Sequence, residues 1–169
     1  LPIIEDNAHG LYAKYNGKYL GTFGSLATQS FHETKNITCG VGGALLINDK
    51  KLIDRAEILR EKGTNRSKFL RGQVDKYTWV EIGSSWVISD LLSAILFSQL
   101  KRADEINSRR VEIWNKYQYE LAQWAEQNGV FPPFVPNGCE HTGHVFHLRF
   151  RTAEQRTHFI SHLKDKSVN

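Results

Sequence analysis

From Ser89-Asp90 onward, apolar residues return every three or four positions: Leu92, Leu96, Leu100, Ala103, Ile106, Ile113, Tyr117, Leu121 and Trp124. That spacing lays them along one face of a single helix of about ten turns. Ser89-Asp90 suits its cap, and Asn128-Gly129 followed by Pro132-Pro133 suits its stop. A helix of this length connects or spans domains, and a bend along it is expected.

Upstream, everything is short. Leu1 to Glu5 is an apolar run ending in Glu5-Asp6, which suits a parallel strand buried on both faces, its carboxyl end delivering Asp6 to a loop. Tyr15 and Tyr19 flank Asn16-Gly17 as a hairpin. Leu26 to Phe31 and Ala44 to Ile47 read as further strands, separated by the glycines from Gly40 to Gly43. Asn48-Asp49 then caps a helix carrying Leu52, Ile53, Ala56 and Leu59, with Gly63 at its end. Residues 64–82 have no clean period and read as a long loop. Past the prolines, Val145 to Phe150 alternates as a strand. Thr152 to Lys164 reads as a capped helix with Phe159, Ile160 and Leu163 inward. The pattern is α/β. We expect residues 1–88 to belong to a large α/β domain, 89–128 to the connecting helix, and 129–169 to the start of a second, smaller domain.

Composition narrows the class. With 169 residues, 40% of them hydrophobic and 24% charged, the chain can bury a core and is no disordered tail. Two cysteines cannot build a disulfide scaffold and fit a reducing, cytoplasmic compartment. No run approaches the ~18 apolar residues a membrane span needs. The net charge of +4 is spread along the chain without an RNA-binding or zinc pattern, which argues against nucleic acid and a metal site. There is no methionine, and the first strand starts at residue 1. Both lead us to expect an internal piece of a longer protein.

Two residues stand out chemically. Asp6 sits at a strand's carboxyl end, where open α/β sheets hold ligands. An aspartate there also caps turns, and position alone leaves both readings open. Lys35 follows a strand and precedes a glycine-rich turn. It is either an ordinary surface lysine or an amine desolvated enough to attack an aldehyde.

Their neighbours form a longer pattern. Glu5-Asp6-Asn7-Ala8-His9, Gly21-Thr22-Phe23-Gly24, Ser30-Phe31-His32-Glu33-Thr34-Lys35-Asn36 and Gly40-Val41-Gly42-Gly43 follow in order, with 29 residues from Asp6 to Lys35. This series resembles the DegT/DnrJ/StrS-type sugar aminotransferases, which use pyridoxal 5'-phosphate (PLP). The resemblance implies part of a PLP-dependent transferase of fold type I, the aspartate-aminotransferase-like fold. Arg60 to Ser67, Arg71 to Trp79 and Ile82 to Ser85 look like one branch, the transaminases making dTDP-4-amino-4,6-dideoxygalactose for enterobacterial common antigen.

The resemblance also implies roles. Lys35 would bind the cofactor aldehyde and then shuttle a proton, as the catalytic base and acid. Asp6 would pair with the pyridine nitrogen and keep it protonated, so that the ring draws electrons. His9 would bond the ring hydroxyl, and Ser30 would donate to the phosphate. Read without the family, His9 is a capping or packing histidine and Ser30 a strand serine bonded to backbone. His32 reads as support for the lysine turn. Where many relatives carry an asparagine reaching the neighbouring subunit's phosphate, this chain has Ser85, a serine that the implied branch shares and that would take the cofactor contact in its place. Arg66, Arg71 and Lys76 are candidates for a substrate diphosphate, or simply a solvated basic loop.

The implied substrates are L-glutamate and dTDP-4-dehydro-6-deoxyglucose, in a homodimer. Dehydratases of the same fold replace the lysine with histidine, so Lys35 argues against that activity. A regulatory relative or an inactive truncated product stays open. We expect these residues in isolation to bind PLP weakly and not to turn over.

Overall fold

A computed structural model describes residues 1–168. Its first sheet contains β1 (Ile4–Asp6), β4 (Leu26–Ser30) and β5 (Gly43–Ile47), in the order β1-β4-β5. β1 and β4 are parallel, with Asp6 level with Thr28. β5 runs antiparallel, placing Gly43 beside Ser30 and Ile47 beside Leu26. Asp6 and Ser30 therefore leave the sheet at the same end. Side chains alternate along a strand and registered partners share a face. Asp6, Thr28 and Ser30 are on one face, and Glu5, Ala27 and Gln29 on the other. Ala27 and Gln29 are buried. The expectation of a first strand buried on both faces is corrected. Ile3 and Ile4 are 62% and 65% exposed; among the described residues β1 lies at the sheet's edge and pairs with β4 alone.

The Asn16-Gly17 hairpin is present as β2 (Lys14–Tyr15) and β3 (Lys18–Tyr19). Both turn residues have positive φ, 48° and 75°, as a tight two-residue hairpin requires. The other edge of β2 pairs with β6 (Cys139–Glu140), a strand the sequence reading lacks. Lys14 Nζ meets Glu140 Oε2 at 3.0 Å, and this hydrogen bond raises the lysine pKa above its ordinary value.

Asp49 caps a short 3₁₀ turn, its carboxylate accepting from Lys51 N, and α1 (Ile53–Arg60) follows. The chain turns out through Lys62 and Gly63, both at positive φ. A Cβ on Gly63 would lie 1.7 Å from the Glu81 carbonyl oxygen, so only glycine fits that crossing. The long loop contains α2 (Arg66–Leu70) and two isolated bridges, Thr64 to Trp79 and Glu61 to Ser85.

The single long helix is corrected to two. α3 (Asp90–Lys101) and α4 (Ala103–Asn128) meet at Arg102, whose φ of −108° and ψ of 14° break the α-helical run. Ser89 Oγ caps α3, and Gly129, at φ 62°, ends α4. Ala103, Trp114 and Ala125 are the buried residues of α4, whereas Ile113 and Tyr117 are 42% and 52% exposed.

Val145 to Phe150 is not a strand. Its extended chain makes one bridge, Arg149 to Phe131, because no ladder partner lies beside it among the described residues. α5 (Ala153–Asp165) begins with a complete capping box between Thr152 and Gln155. Phe159 packs between Trp124 and Phe150, with ring centroids at 5.5 and 5.1 Å, while Ile160 is exposed. A central core cluster joins Phe31, Ile37 and Cys39 to Ala103, flanked by Leu92, Leu96 and Ile106.

Candidate active site

Lys35 is presented by the loop that leaves β4. Phe31, Ile37 and Cys39 of that loop all enter the core, so burial holds both sides of the turn inward. Backbone bonds close it: Phe31 N to Gly42 O at 2.8 Å, Cys39 N to Phe31 O at 3.0 Å and Glu33 N to Gly40 O at 3.0 Å. Lys35 N donates to His32 O at 2.9 Å. His32 Nδ1 also lies 3.3 Å from Thr34 Oγ1, so this histidine braces the lysine turn. Gly42 has no room for a side chain, since a Cβ would lie 2.7 Å from Cys39 Sγ. Burial pushes the Cys39 thiol pKa up.

A small cleft opens where this loop meets the chain leaving β1. Its polar walls are His9, Ser30, Lys35, Asn36 and Thr142, with Leu11 and Ile37 as apolar floor. Three residues named from the sequence, His9, Ser30 and Lys35, thus share one cleft. Its enclosed volume is about 10 Å³, room for one water. Asp6 is not a wall of it. It stands at the same sheet end, on the face of Ser30, and its Oδ1 accepts from Ala8 N at 3.1 Å. Asp6 therefore does cap the turn, but with one oxygen; Oδ2 has no hydrogen-bond partner among the described residues. Ser85 is outside the cleft, exposed at its bridge to Glu61.

Asn36, the last residue of the segment from Ser30 to Asn36, had no role assigned from the sequence, and Thr142 and His144 escaped it altogether. Asn36 Nδ2 donates to Thr142 O at 2.8 Å, and its Oδ1 lies 2.7 Å from His144 Nδ1. The His144 ring sits against that of His9, centroids 4.5 Å apart. Burial lowers the His144 pKa, and the nearby His9, Lys35 and Arg110 lower it further. No local pattern signals contacts between residues more than a hundred positions apart.

Glu5 turns to the opposite face. It accepts from Gly21 N at 2.8 Å and from Phe23 N and Gly24 N at 2.6 Å each. Partial burial pushes its pKa up, but the three backbone bonds, with Lys18 nearby, outweigh it and hold the carboxyl below its usual range. In the basic loop, Arg71 makes a two-pronged pair with Glu57 at 2.7 and 2.9 Å, and Arg66 meets Glu61 at 3.3 Å. Lys76 has no side-chain partner among the described residues. Among them, no group of three or more His, Cys, Asp and Glu is placed to hold a metal ion, and no helix is long and apolar enough to cross a membrane.

An amine, a hydroxyl and an imidazole around one cleft, with a half-free carboxylate at the same sheet end, define a lysine-centred site on a mixed α/β fold. The fold has close counterparts. DesV of S. venezuelae superposes with a TM-score of 0.85 at 29% identity, over 100% of this chain and 42% of that one. GDP-perosamine synthase of Escherichia coli O157:H7 is 35% identical over 171 residues, 98% of this chain and 42% of the relative. The spore coat polysaccharide biosynthesis protein SpsC of Bacillus subtilis is 31% identical over 170 residues, 97% of this chain and 43% of the relative. The family model of the DegT/DnrJ/EryC1/StrS aminotransferases matches residues 1–169. The chain belongs to this family, whose aminotransferases are PLP-dependent. It spans about two-fifths of the length of the curated relatives it matches.

The donor set suits that cofactor. An aldehyde needs an amine, a pyridinium an anionic partner and a phosphate a hydroxyl donor, and Lys35, Asp6 and Ser30 supply these three chemistries. A cleft with room for one water forms one wall of such a site and does not enclose a whole cofactor.

Proposed function

We propose that this chain carries the cofactor lysine of a sugar aminotransferase acting on a nucleotide-linked 4-keto-6-deoxyhexose. The observation that carries the reading is the convergence of His9, Ser30 and Lys35 on one cleft, with Asp6 at the same end of the sheet. Bound there, PLP would supply an electron-withdrawing ring that makes the amino donor's Cα–H acidic. The protein's own part is to hold and move protons. Lys35 Nζ would hold the cofactor's aldehyde carbon, and its amine would serve as the proton carrier at the donor's Cα. Asp6 would supply the anionic partner of the ring nitrogen, Ser30 Oγ a hydroxyl donor to the phosphate, and His9 a hydrogen-bond partner for the ring hydroxyl.

L-glutamate is the proposed amino donor, leaving as 2-oxoglutarate. dTDP-4-dehydro-6-deoxyglucose is the proposed acceptor, giving dTDP-4-amino-4,6-dideoxygalactose for a cell-surface polysaccharide such as enterobacterial common antigen. The sugar-nucleotide and polysaccharide names of two relatives support this substrate class. The dTDP moiety rests on the likeness of the loops from Arg60 to Ser85 alone. In the same reading the protein is a cytoplasmic homodimer with Ser85 at the partner's phosphate. Residues 1–88 belong to its cofactor domain, 89–128 to the connecting helices, and 129–169 open the smaller domain.

Borohydride reduction of the full-length holoprotein, followed by peptide mass spectrometry, tests this directly. A pyridoxyl group on Lys35 is expected; on any other residue it refutes the assignment. Turnover of dTDP- against GDP-linked 4-keto sugars then decides the nucleotide.

A further inference from the structure

The side chain of Asn36 leaves little freedom in how hydrogens are placed beside Lys35. A backbone carbonyl can only accept, so the Asn36 atom 2.8 Å from Thr142 O is the amide nitrogen. Its oxygen therefore faces His144 Nδ1 at 2.7 Å, and Nδ1 must carry the hydrogen. A neutral ring so held has Nε2 bare.

The surroundings disfavour protonation of the ring. His144 is half-buried, and the charged or titratable groups facing it are His9 after β1, Lys35 after β4 and Arg110 on α4, with His141 three positions before it in the chain. Each added positive charge disfavours protonating His144. On its other side the ring lies against His9, a wall of the lysine cleft, at 4.5 Å and tilted by 50°. One imidazole thus touches the residue next to Lys35 and the histidine across from it.

We propose that His144 is a positioning residue for the lysine cleft: locked by Asn36 as the Nδ1–H tautomer, it fixes the His9 ring on one side and the Lys35 turn on the other. The tautomer stands on geometry alone, while its value to the reaction rests on the cofactor reading above.

The first test needs no cofactor. Two-bond ¹H–¹⁵N spectra of the full-length apoprotein, labelled at histidine, report the tautomer and titration of each ring. His144 is expected as Nδ1–H, with a midpoint below the ordinary histidine value of about 6.5. An Nε2–H tautomer, or a midpoint at or above that value, overturns the proposal. Asn36→Asp replaces the amide with a carboxylate facing the ring. It is expected to raise the His144 midpoint by about one pH unit or more; an unchanged midpoint also overturns it. In the holoprotein, His144→Phe keeps a ring against His9 but deletes the donor, whereas His144→Asn keeps a donor at the Nδ1 position. The pH midpoint of the bound cofactor's visible absorbance is expected to move in the first variant and stay near wild type in the second. Any other pattern overturns the positioning role. Absence of a pyridoxyl group on Lys35 would refute the cofactor reading while leaving the tautomer measurement intact.

Discussion

Glu5 and Asp6 are adjacent carboxylates with opposite surroundings. Glu5 is enclosed by three backbone donors and ties the turn from Gly21 to Gly24 to the edge strand. Hydrogen bonds to a charged group contribute about 1.5–3 kcal/mol each where fully shielded, and less at a half-exposed site. Glu5→Gln is therefore expected to cost about 1–3 kcal/mol in urea denaturation at pH 7. The sign with pH follows from the lowered pKa. The stabilisation is complete above the unfolded glutamate value of about 4.3. It disappears as pH falls through the lower folded value, so the gap between wild type and Glu5→Gln should narrow toward pH 3. Asp6 is held by fewer bonds: one oxygen caps Ala8, and the other has no hydrogen-bond partner among the described residues. Asp6→Asn keeps an oxygen for the cap, so stability should stay within about 0.5 kcal/mol. Turnover should fall about a hundredfold or more, the scale of losing a preorganised charge. Equal losses of stability and turnover would mean that the carboxylate is only structural.

At the scale of elements, the features readable in advance were those with a local cause. Ser89, Thr152, Asn16-Gly17 and Gly129 act within three or four residues of themselves, and each ends or turns its element where the chain says it should. Thr152→Ala should cost about 1 kcal/mol by thermal denaturation, and Gly129→Ala about 1–2 kcal/mol for a left-handed alanine. What escaped was set at long range. β6 is two residues long, too short for any period, and exists because β2 has an edge to offer. The α3–α4 stripe continues in sequence across Arg102, where the backbone leaves the α-helix, and within α4 it is Trp114 and not Ile113 that is buried. Val145 to Phe150 has the alternation of a strand without the neighbour that would make it one.

The whole molecule repeats this division. Lys35, Ser30, His9 and Asp6 fall within thirty positions of one another, and the motif series that exposed them is a near-local signal. Asn36, Thr142 and His144 meet only because α3 and α4 return the chain to its beginning. Asn36→Ala should therefore loosen one region selectively. Amide exchange should accelerate at β6 and around Thr142, while the β4–β5 ladder keeps its protection. A uniform change across both would show that the two parts are not joined through this side chain. The contact from Asn36 to His144 closes a loop of 108 residues, and such closures come late, after their entropy cost is met by structure in between. During translation the amine of Lys35 emerges well ahead of the imidazole that braces it. The nascent polypeptide thus presents this amine before its pocket is finished, and any aldehyde it met on the ribosome would find a lysine not yet set for chemistry.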